Sequence, residues 1–343
     1  MFGFYRFVLA LLVMAMHVGD IRDIGCYAVF SFFVLSGFLM TTITNNTYGF
    51  SGRGITLFLV NRVLRIYPPY YASLFIAALC LVFLPSQVEL VMPHLRSPAD
   101  FKEWLQLVML VYIIPGPFAE STLQPLAWAL TVELFFYALI GLGLTKTFKR
   151  TLVMLCLGIA YALLMIAYKS HFYPRYCYIP AALFPFMIGS AVYYVNKRLK
   201  ATDIPFIKHY HTLLILVVSL LYTLNFAIAD YLDMTRKAFY YINVPISGIL
   251  CYLLATYCAN SRVSRWDRML GALSYPIYLV HMPAAILASL FSGFDRFTWP
   301  LFFVAVPIVI ILSLLIQYTI EQPMEVYREK IKRWLHTGLS SVY

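Results

Sequence analysis

FGFYRFVLALLVMAMHVG, Phe2 to Gly19, is the stretch from which the chain is read. It is apolar along nearly its whole length, and at ~1.5 Å of rise per residue it is about long enough to cross a bilayer. Yet Arg6 stands near one end and His17 near the other. Eleven residues at about 100° each make three turns, so both side chains fall on one stripe, roughly 16 Å apart along the axis. An ionisable group facing lipid is costly, which aims that stripe at a protein interior or a wet cavity. The alternative has Arg6 snorkelling to the cytoplasmic headgroups and His17 resting in the outer interface. A basic n-region and a convincing small-residue cleavage site are both lacking, so the stretch reads as a span and not as a signal peptide.

Composition extends that reading to the whole chain. Hydrophobic residues make up 62% of 343 and charged residues 12%, with a mean hydropathy of +0.78. These values exclude an ordinary soluble domain and predict an all-α, polytopic integral membrane protein. The net charge of +11 does not mark a nucleic-acid surface, because the basic residues recur as short clusters between apolar runs. Ten segments are long enough to span: 2–19, 25–44, 68–85, 125–144, 151–168, 176–195, 209–228, 238–258, 270–291 and 299–319. With the N-terminus cytoplasmic, inner segments hold 17 Lys and Arg residues and outer segments eight. The asymmetry puts both termini inside. Six cysteines, most of them in apolar segments and none in a Cys-x-x-Cys pair, read as free, buried thiols with neither disulfides nor a metal site.

The same map sorts the acids. Fourteen of the fifteen Asp and Glu residues fall in loops, ends or the tail, and only Glu133 lies well inside a span. The membrane interior thus holds Arg6, His17, Glu133 and His281, which are expected to converge. Ile55–Tyr67, ITLFLVNRVLRIY, carries an apolar stripe of Leu57, Val60, Leu64 and Tyr67, with Arg62 and Arg65 on another face. It reads as an amphipathic helix lying in the inner interface and closed by Pro68 and Pro69. Three residues apart, the two guanidinium groups suit a polyphosphate clamp or an anionic-lipid anchor.

The connection 86–124 is outside, and within it Trp104–Ile114 is too short to span and reads as interfacial or re-entrant. In the ninth span, SYPIYLVHMP puts Ser274, Tyr278 and His281 on one stripe. A satisfied core histidine and a functional one are both open there. His209 and His211, two apart with no carboxylate or Cys beside them, do not share a helix face and suggest no metal. Met324, Tyr327, Ile331 and Trp334 form an apolar stripe among basic residues, the pattern of a tail helix on the inner membrane face.

Several stretches taken together resemble the membrane-bound acyltransferase-3 family, whose members O-acylate cell-envelope glycans and related molecules. They are YRFVLALLVMAMH (Tyr5–His17), YAVFSFFVLSGFL (Tyr27–Leu39), NRVLRIYPPYY (Asn61–Tyr71), LAWALTVELFFY (Leu126–Tyr137), PFMIGS (Pro185–Ser190), SYPIYLVHMP (Ser274–Pro283) and IEQP (Ile320–Pro323). The ordered set covers the chain from end to end. The resemblance implies importance for Arg6 and His17, for Arg62 and Arg65, and for Glu133. Where many members open Leu-Asp-Gly-Leu-Arg-Gly, this chain has Phe2-Gly3-Phe4-Tyr5-Arg6-Phe7, so any role of that aspartate is missing. Some members carry a fused extracytoplasmic esterase-like domain. Here 24 residues follow Thr319, and the chain is expected to acylate its acceptor itself or to hand the group to a separate partner.

The resemblance implies a ten-span acyltransferase domain over 1–320 and a cytoplasmic amphipathic tail over 321–343, in a bacterial inner membrane. The co-substrate would be cytoplasmic acyl-CoA, acetyl-CoA in the first instance, with no metal, and the acceptor an envelope glycan or lipid-linked sugar. Arg62 and Arg65 would hold the coenzyme phosphates, and neutral His17 would take the proton of the attacking hydroxyl, worth typically ~10²–10⁴ in rate. Arg6 would stabilise the thioester or pair with Glu133, which would orient a histidine or hold Arg6. An acyl-histidine intermediate ranks second. Ser36, in Leu-Ser-Gly-Phe, lacks a nucleophile elbow; it and Gly37 read as a close helix contact. A proton-coupled transporter needs similar buried charges but predicts repeated halves, and the sequence has none.

Overall fold

The computed structural model describes residues 1–93, 95–112, 123–168, 171–200, 203–235, 239–256 and 261–337, and among them there are helices and no strands. In chain order these are α1 (Phe2–Val18), α2 (Ile24–Ile43), α3 (Gly52–Phe83), α4 (Pro85–Val91), α5 (Phe101–Met109), α6 (Ala127–Gly141), α7 (Phe148–Ala167), α8 (Phe172–Tyr176), α9 (Leu183–Arg198), α10 (Pro205–Tyr231), α11 (Tyr240–Ala255), α12 (Ser261–Ser292), α13 (Trp299–Ile316) and α14 (Gln322–Thr337). Seven stretches among the described residues are long and apolar enough to cross a membrane: those of α2, α3, α7, α10, α12 and α13, and α9 together with the 3-10 turn Ile179–Ala182 that leads into it. Shorter apolar helices α1, α6 and α11 coincide with the segments read at 2–19, 125–144 and 238–258. The chain is therefore a multi-pass membrane protein.

One expectation is corrected. Pro68 and Pro69 do not close a helix: α3 runs through both for 32 residues. Its outward face carries Val60, Val63, Tyr71, Phe75, Leu79 and Val82 in one exposed apolar stripe. From Val60 to Val82 that stripe rises roughly 33 Å, close to the ~30 Å of a hydrocarbon core. Phe58, Asn61, Arg62 and Ile66 are buried on the opposite side. The arginine face of Ile55–Tyr67 thus looks into the protein and its apolar face outward, the reverse of a helix resting on a surface. A membrane helix can continue through proline; the carbonyls that Pro68 and Pro69 deprive of a helical donor are those of Leu64 and Arg65. Next to the break, the Tyr275 hydroxyl donates to the Ile66 carbonyl at 2.8 Å.

The chain divides into two compact units. The first comprises Met1–Leu9, Asp23–Thr47 and Gly143–Gly271. Its closest packing is α2 against α9, where Gly37 meets the Phe186 backbone and Gly189 meets that of Val34. A Cβ on Gly37 would stand 2.0 Å from the Phe186 carbonyl oxygen, and one on Gly189 1.9 Å from that of Val34. Small residues that let backbones touch are a principal source of cohesion between membrane helices. Ser190, one residue on, joins Thr41 and Thr145 in a buried hydroxyl cluster, with Thr41 Oγ1 2.9 Å from Ser190 and 3.0 Å from Thr145. Gly37→Leu is expected to lower the thermal unfolding midpoint in detergent, because overpacking of this kind costs about 1–3 kcal/mol. Leu163→Ala, on the exposed side of α7, should leave the midpoint near that of the parent. Equal midpoints for Gly37→Leu and the parent would refute the close-contact role.

Within the same unit, the Asp267 carboxylate of α12 accepts from the backbone N–H groups of Gly3 at 3.2 Å and Phe4 at 2.8 Å. It caps the orphan donors of α1 and sits at the positive end of the helix dipole. Gly3 occupies the register where the resembling family carries its aspartate, and here the carboxylate arrives from another helix.

The second unit comprises Ala10–Arg22, Tyr48–Leu142 and Ala272–Tyr343. Short helix α5 starts at an Asp100 cap and an Arg96–Glu103 fork, with nitrogen–oxygen distances of 2.7 and 2.9 Å. That guanidinium, helped by the Ala99 N–H, holds the Glu103 carboxyl down at about 2. At the other end of α5, hydroxyls of Tyr70, Tyr71 and Tyr67 donate to the carbonyls of Leu107, Val108 and Met109 at 2.7, 3.0 and 2.8 Å. The acceptors are orphan carbonyls of a helix terminus, and the donors sit at the middle of α3, so the end of α5 is tied to the middle of that helix. Ile113 and Ile114, the end of the predicted segment, lie outside the described residues, as do Cys258 and the Trp334 side chain. Of the other cysteines, Cys26, Cys80, Cys177 and Cys251 are buried and Cys156 is exposed. The expectation of burial fails at Cys156.

Two prolines in α12 leave carbonyls without a helical partner, those of Ala272 and Leu279. Buried Gln124 donates to the Leu279 carbonyl at 2.9 Å and to Ser73 at 3.0 Å. Gln317, with its amide oriented to satisfy both neighbours, donates to the Ala272 carbonyl at 3.3 Å. Two glutamines thereby hold α12 unbroken through Pro276 and Pro283.

Candidate functional site

The second unit places three arginines together. Arg62 is buried at 3% exposure; its Nη2 donates to Asn61 Oδ1 at 2.6 Å and its guanidinium lies 5.6 Å from the Phe58 ring centroid. Arg328, on α14, reaches the same Asn61 oxygen with its Nε at 3.4 Å. Arg65, one turn after Arg62, lies within electrostatic reach of both. From the sequence, Arg328 was one more charge on a surface tail. The structure brings it onto the arginine face of α3 because α14 packs along that helix. Three guanidiniums at one place, two of them on a face turned inward, are a cradle for an anion of more than one charge.

Tyr275 links this cluster to the acids. Around its hydroxyl, within electrostatic reach, are Glu321 of the closing IEQP, Glu133 of α6, and Arg65. Glu133 is half-buried, and the structure puts it in the same unit as the arginine cluster. Arg6 is half-buried on α1, in the half that belongs to the first unit.

Further along α12 the side chains change from anionic and phenolic to imidazole. Tyr278 donates to the Leu126 carbonyl at 2.8 Å. One turn on, His281 is fully buried, and its ring stacks with that of His17 at 5.5 Å between centroids and 27° between planes. The two histidines expected to converge do so. His17 is only half-buried, so it is the open member of the pair. Its position is fixed from the following loop: Arg296 Nε donates to the His17 carbonyl at 2.8 Å, and the Thr298 N–H donates to that of Val18 at 3.2 Å. A cation on the last carbonyls of α1 satisfies orphan acceptors and complements the negative end of the helix. Nothing in the sequence singles out Arg296, since a tertiary contact spanning 279 residues leaves no local pattern.

Tyr275 and His281 are separated by six residues of helix, roughly 9 Å of rise. The second unit therefore carries a cationic cluster and, further along one helix, a half-buried imidazole backed by a buried one. Among the described residues no group of three or more His, Cys, Asp or Glu has the arrangement of a metal site.

The family model described as "Acyltransferase domain" matches residues 4–318. A protein of Bacillus subtilis (strain 168) named "Putative peptidoglycan O-acetyltransferase YrhL" is 25% identical over 358 residues, covering 92% of this chain and 55% of its own length. The chain thus spans about half the length of this curated relative. No solved structure matches the chain.

Proposed function

Because the chain belongs to the acyltransferase-3 family, we propose that it moves an acetyl group from cytoplasmic acetyl-CoA to a sugar hydroxyl of an envelope glycan. The observation that carries this reading is the half-buried His17 against buried His281, in the same unit as the Arg62, Arg65 and Arg328 cluster. The family and the named relative support O-acyl transfer to a glycan and disfavour the transporter alternative.

The arginines hold the diphosphate and ribose phosphate of the coenzyme at the inner end, and the pantetheine arm runs along α12 toward the histidines. Neutral His17 accepts the proton of the sugar hydroxyl as its oxygen attacks the thioester carbonyl. The carbon–sulfur bond breaks, the ester forms, and the proton passes to the departing thiolate. Arg6 is assigned to the thioester end of the donor. Glu133 is assigned to positioning, within electrostatic reach of Tyr275. Both termini are cytoplasmic, 1–320 forms the ten-span catalytic part and 321–343 the tail, and the membrane is a bacterial inner membrane. Thermodynamically, the thioester drives the transfer, so the site needs only to position its partners and move one proton.

Mass spectrometry of envelope glycans from a strain lacking the gene tests the reading. Ester-linked acetyl groups are expected to disappear from one glycan class and to return with the parental gene. Identical glycan acetylation with and without the gene would overturn it.

A further inference from the structure

His281 reads from the sequence equally well as a satisfied core histidine, but the structure leaves it half satisfied. Its Nδ1 lies 2.9 Å from the Tyr278 carbonyl and 3.2 Å from that of Ile277. Carbonyl oxygens only accept, so Nδ1 carries the hydrogen and, in the neutral ring, Nε2 is a bare lone pair. That Nε2 is buried and meets no hydrogen-bond partner among the described residues. A buried acceptor without a donor is destabilising, and buried polar atoms left this way call for an explanation. Protonating Nε2 would not relieve it, since a charged ring would bury an N–H with no acceptor.

The neighbouring group is His17. The two rings stack, 5.5 Å between centroids and 27° between planes, and in this arrangement nothing among the described residues donates to Nε2; a rotation of the His17 ring is what would bring one of its nitrogens into hydrogen-bond reach. When His17 takes the proton of the sugar hydroxyl, both of its nitrogens carry hydrogen. Of the pair, the bare acceptor is His281 Nε2.

We propose that His281 is the positioning residue of the site, a histidine locked by the Ile277 and Tyr278 carbonyls into the tautomer whose Nε2 accepts an N–H from His17. This rests on the acyl-transfer reading above and assigns to His281 the histidine-orienting role that the sequence offered to Glu133, which leaves Glu133 the role of holding Arg6. Rotation of the His17 ring brings its inner nitrogen onto Nε2, which fixes the outer nitrogen toward the acceptor hydroxyl and stabilises the imidazolium formed on proton transfer. No proton leaves the pair through His281: its Nδ1–H stays on the backbone carbonyls, and the transferred proton returns from His17 to the thiolate. The arrangement serves the purpose a carboxylate serves behind other catalytic histidines, with an uncharged group that a membrane interior tolerates better.

Two amides of like chemistry separate this role from simple packing. His281→Gln carries an amide oxygen near the position of Nε2, whereas His281→Asn reaches only as far as Nδ1. In purified full-length protein given acetyl-CoA and a peptidoglycan disaccharide, Asn is expected to lower kcat about 10–100-fold, the usual effect of removing an orienting partner. Both KM values should stay within about twofold, and Gln should restore most of kcat. Equal activities of Asn, Gln and parent, or equal losses in Asn and Gln, overturn the proposal. A second measurement needs no turnover and no knowledge of the acceptor. In protein labelled with ¹⁵N-histidine, His281 Nε2 is expected to resonate as an unprotonated nitrogen and to shift in the His17→Ala variant. A protonated Nε2, or a signal indifferent to His17, overturns the assignment even if the enzyme proves active. A parent inactive with these substrates but showing the unprotonated, His17-sensitive Nε2 would instead remove the acyl-transfer reading and leave the pair standing.

Discussion

His17→Gln is expected to bind acetyl-CoA, accumulate in the membrane like the parent and transfer nothing. The argument starts from position. His17 is one residue from the end of α1, half-buried, with its backbone carbonyl held by Arg296 at 2.8 Å and its ring against fully buried His281. A side chain of the same reach can take its place without disturbing α1. Glutamine retains a hydrogen bond to an acceptor hydroxyl, yet it cannot take the proton that the attack releases. Loss of a positioned base typically lowers the rate by ~10²–10⁴, enough to take transfer below detection in most glycan assays. His17→Ala should behave alike, with acetyl-CoA affinity again near normal. If His17 merely anchors α1 in the outer interface, the polar Gln variant keeps most of its activity while Ala loses stability. Radiolabelled acetyl transfer beside acetyl-CoA binding in the same preparation distinguishes the two, and an active His17→Gln protein ends the general-base mechanism.

How far the sequence carries depends on whether a feature is periodic or tertiary. Apolar runs are periodic, and so the helical segments were legible, including short ones such as α6, whose fifteen residues fall under an ordinary length threshold. Pro68 and Pro69 misled because in water two prolines usually end a helix. In a membrane a helix can continue through proline where its surroundings allow, and no local pattern announces those surroundings. The polarity of Ile55–Tyr67 was read the right way round as two faces and the wrong way round in space. A helix surrounded by lipid turns its arginines inward, the opposite of one lying on a surface. Convergence of His17 and His281 followed from the cost of ionisable groups in lipid. The tautomer of His281 did not, since it depends on two carbonyls one turn back on its own helix being close enough to accept. Arg328 and Arg296 were invisible for the same reason: each acts on a residue more than 260 positions away.

Replacing the arginines is expected to have its effect on the donor. Charge-assisted hydrogen bonds of this kind contribute about 1.5–3 kcal/mol each, and every 1.4 kcal/mol is roughly tenfold in affinity. Arg65→Gln should therefore weaken acetyl-CoA binding by about tenfold or more, and Arg62→Gln with Arg65→Gln by at least about a hundredfold. Arg328→Gln is expected to resemble the Arg65 variant, because Arg328 reaches the same Asn61 that positions Arg62. Lysine at 65 should restore only part of the loss, since a point charge cannot form the planar fork. High salt should weaken binding to the parent much as these variants do, and should act less on the double variant, whose contacts are already gone. Acetyl-pantetheine, which has no phosphate, supplies the control: it should bind parent and double variant alike. The competing role is an anchor for anionic lipid. Arg62 is a poor candidate for that, being 3% exposed and turned away from the lipid-facing stripe of Val60 and Val63. Titration of acetyl-CoA and acetyl-pantetheine into the folded double variant decides between them. Unchanged acetyl-CoA affinity would reduce the cluster to a structural or lipid-binding feature, whereas a loss confined to the phosphate-bearing ligand places the coenzyme at α3.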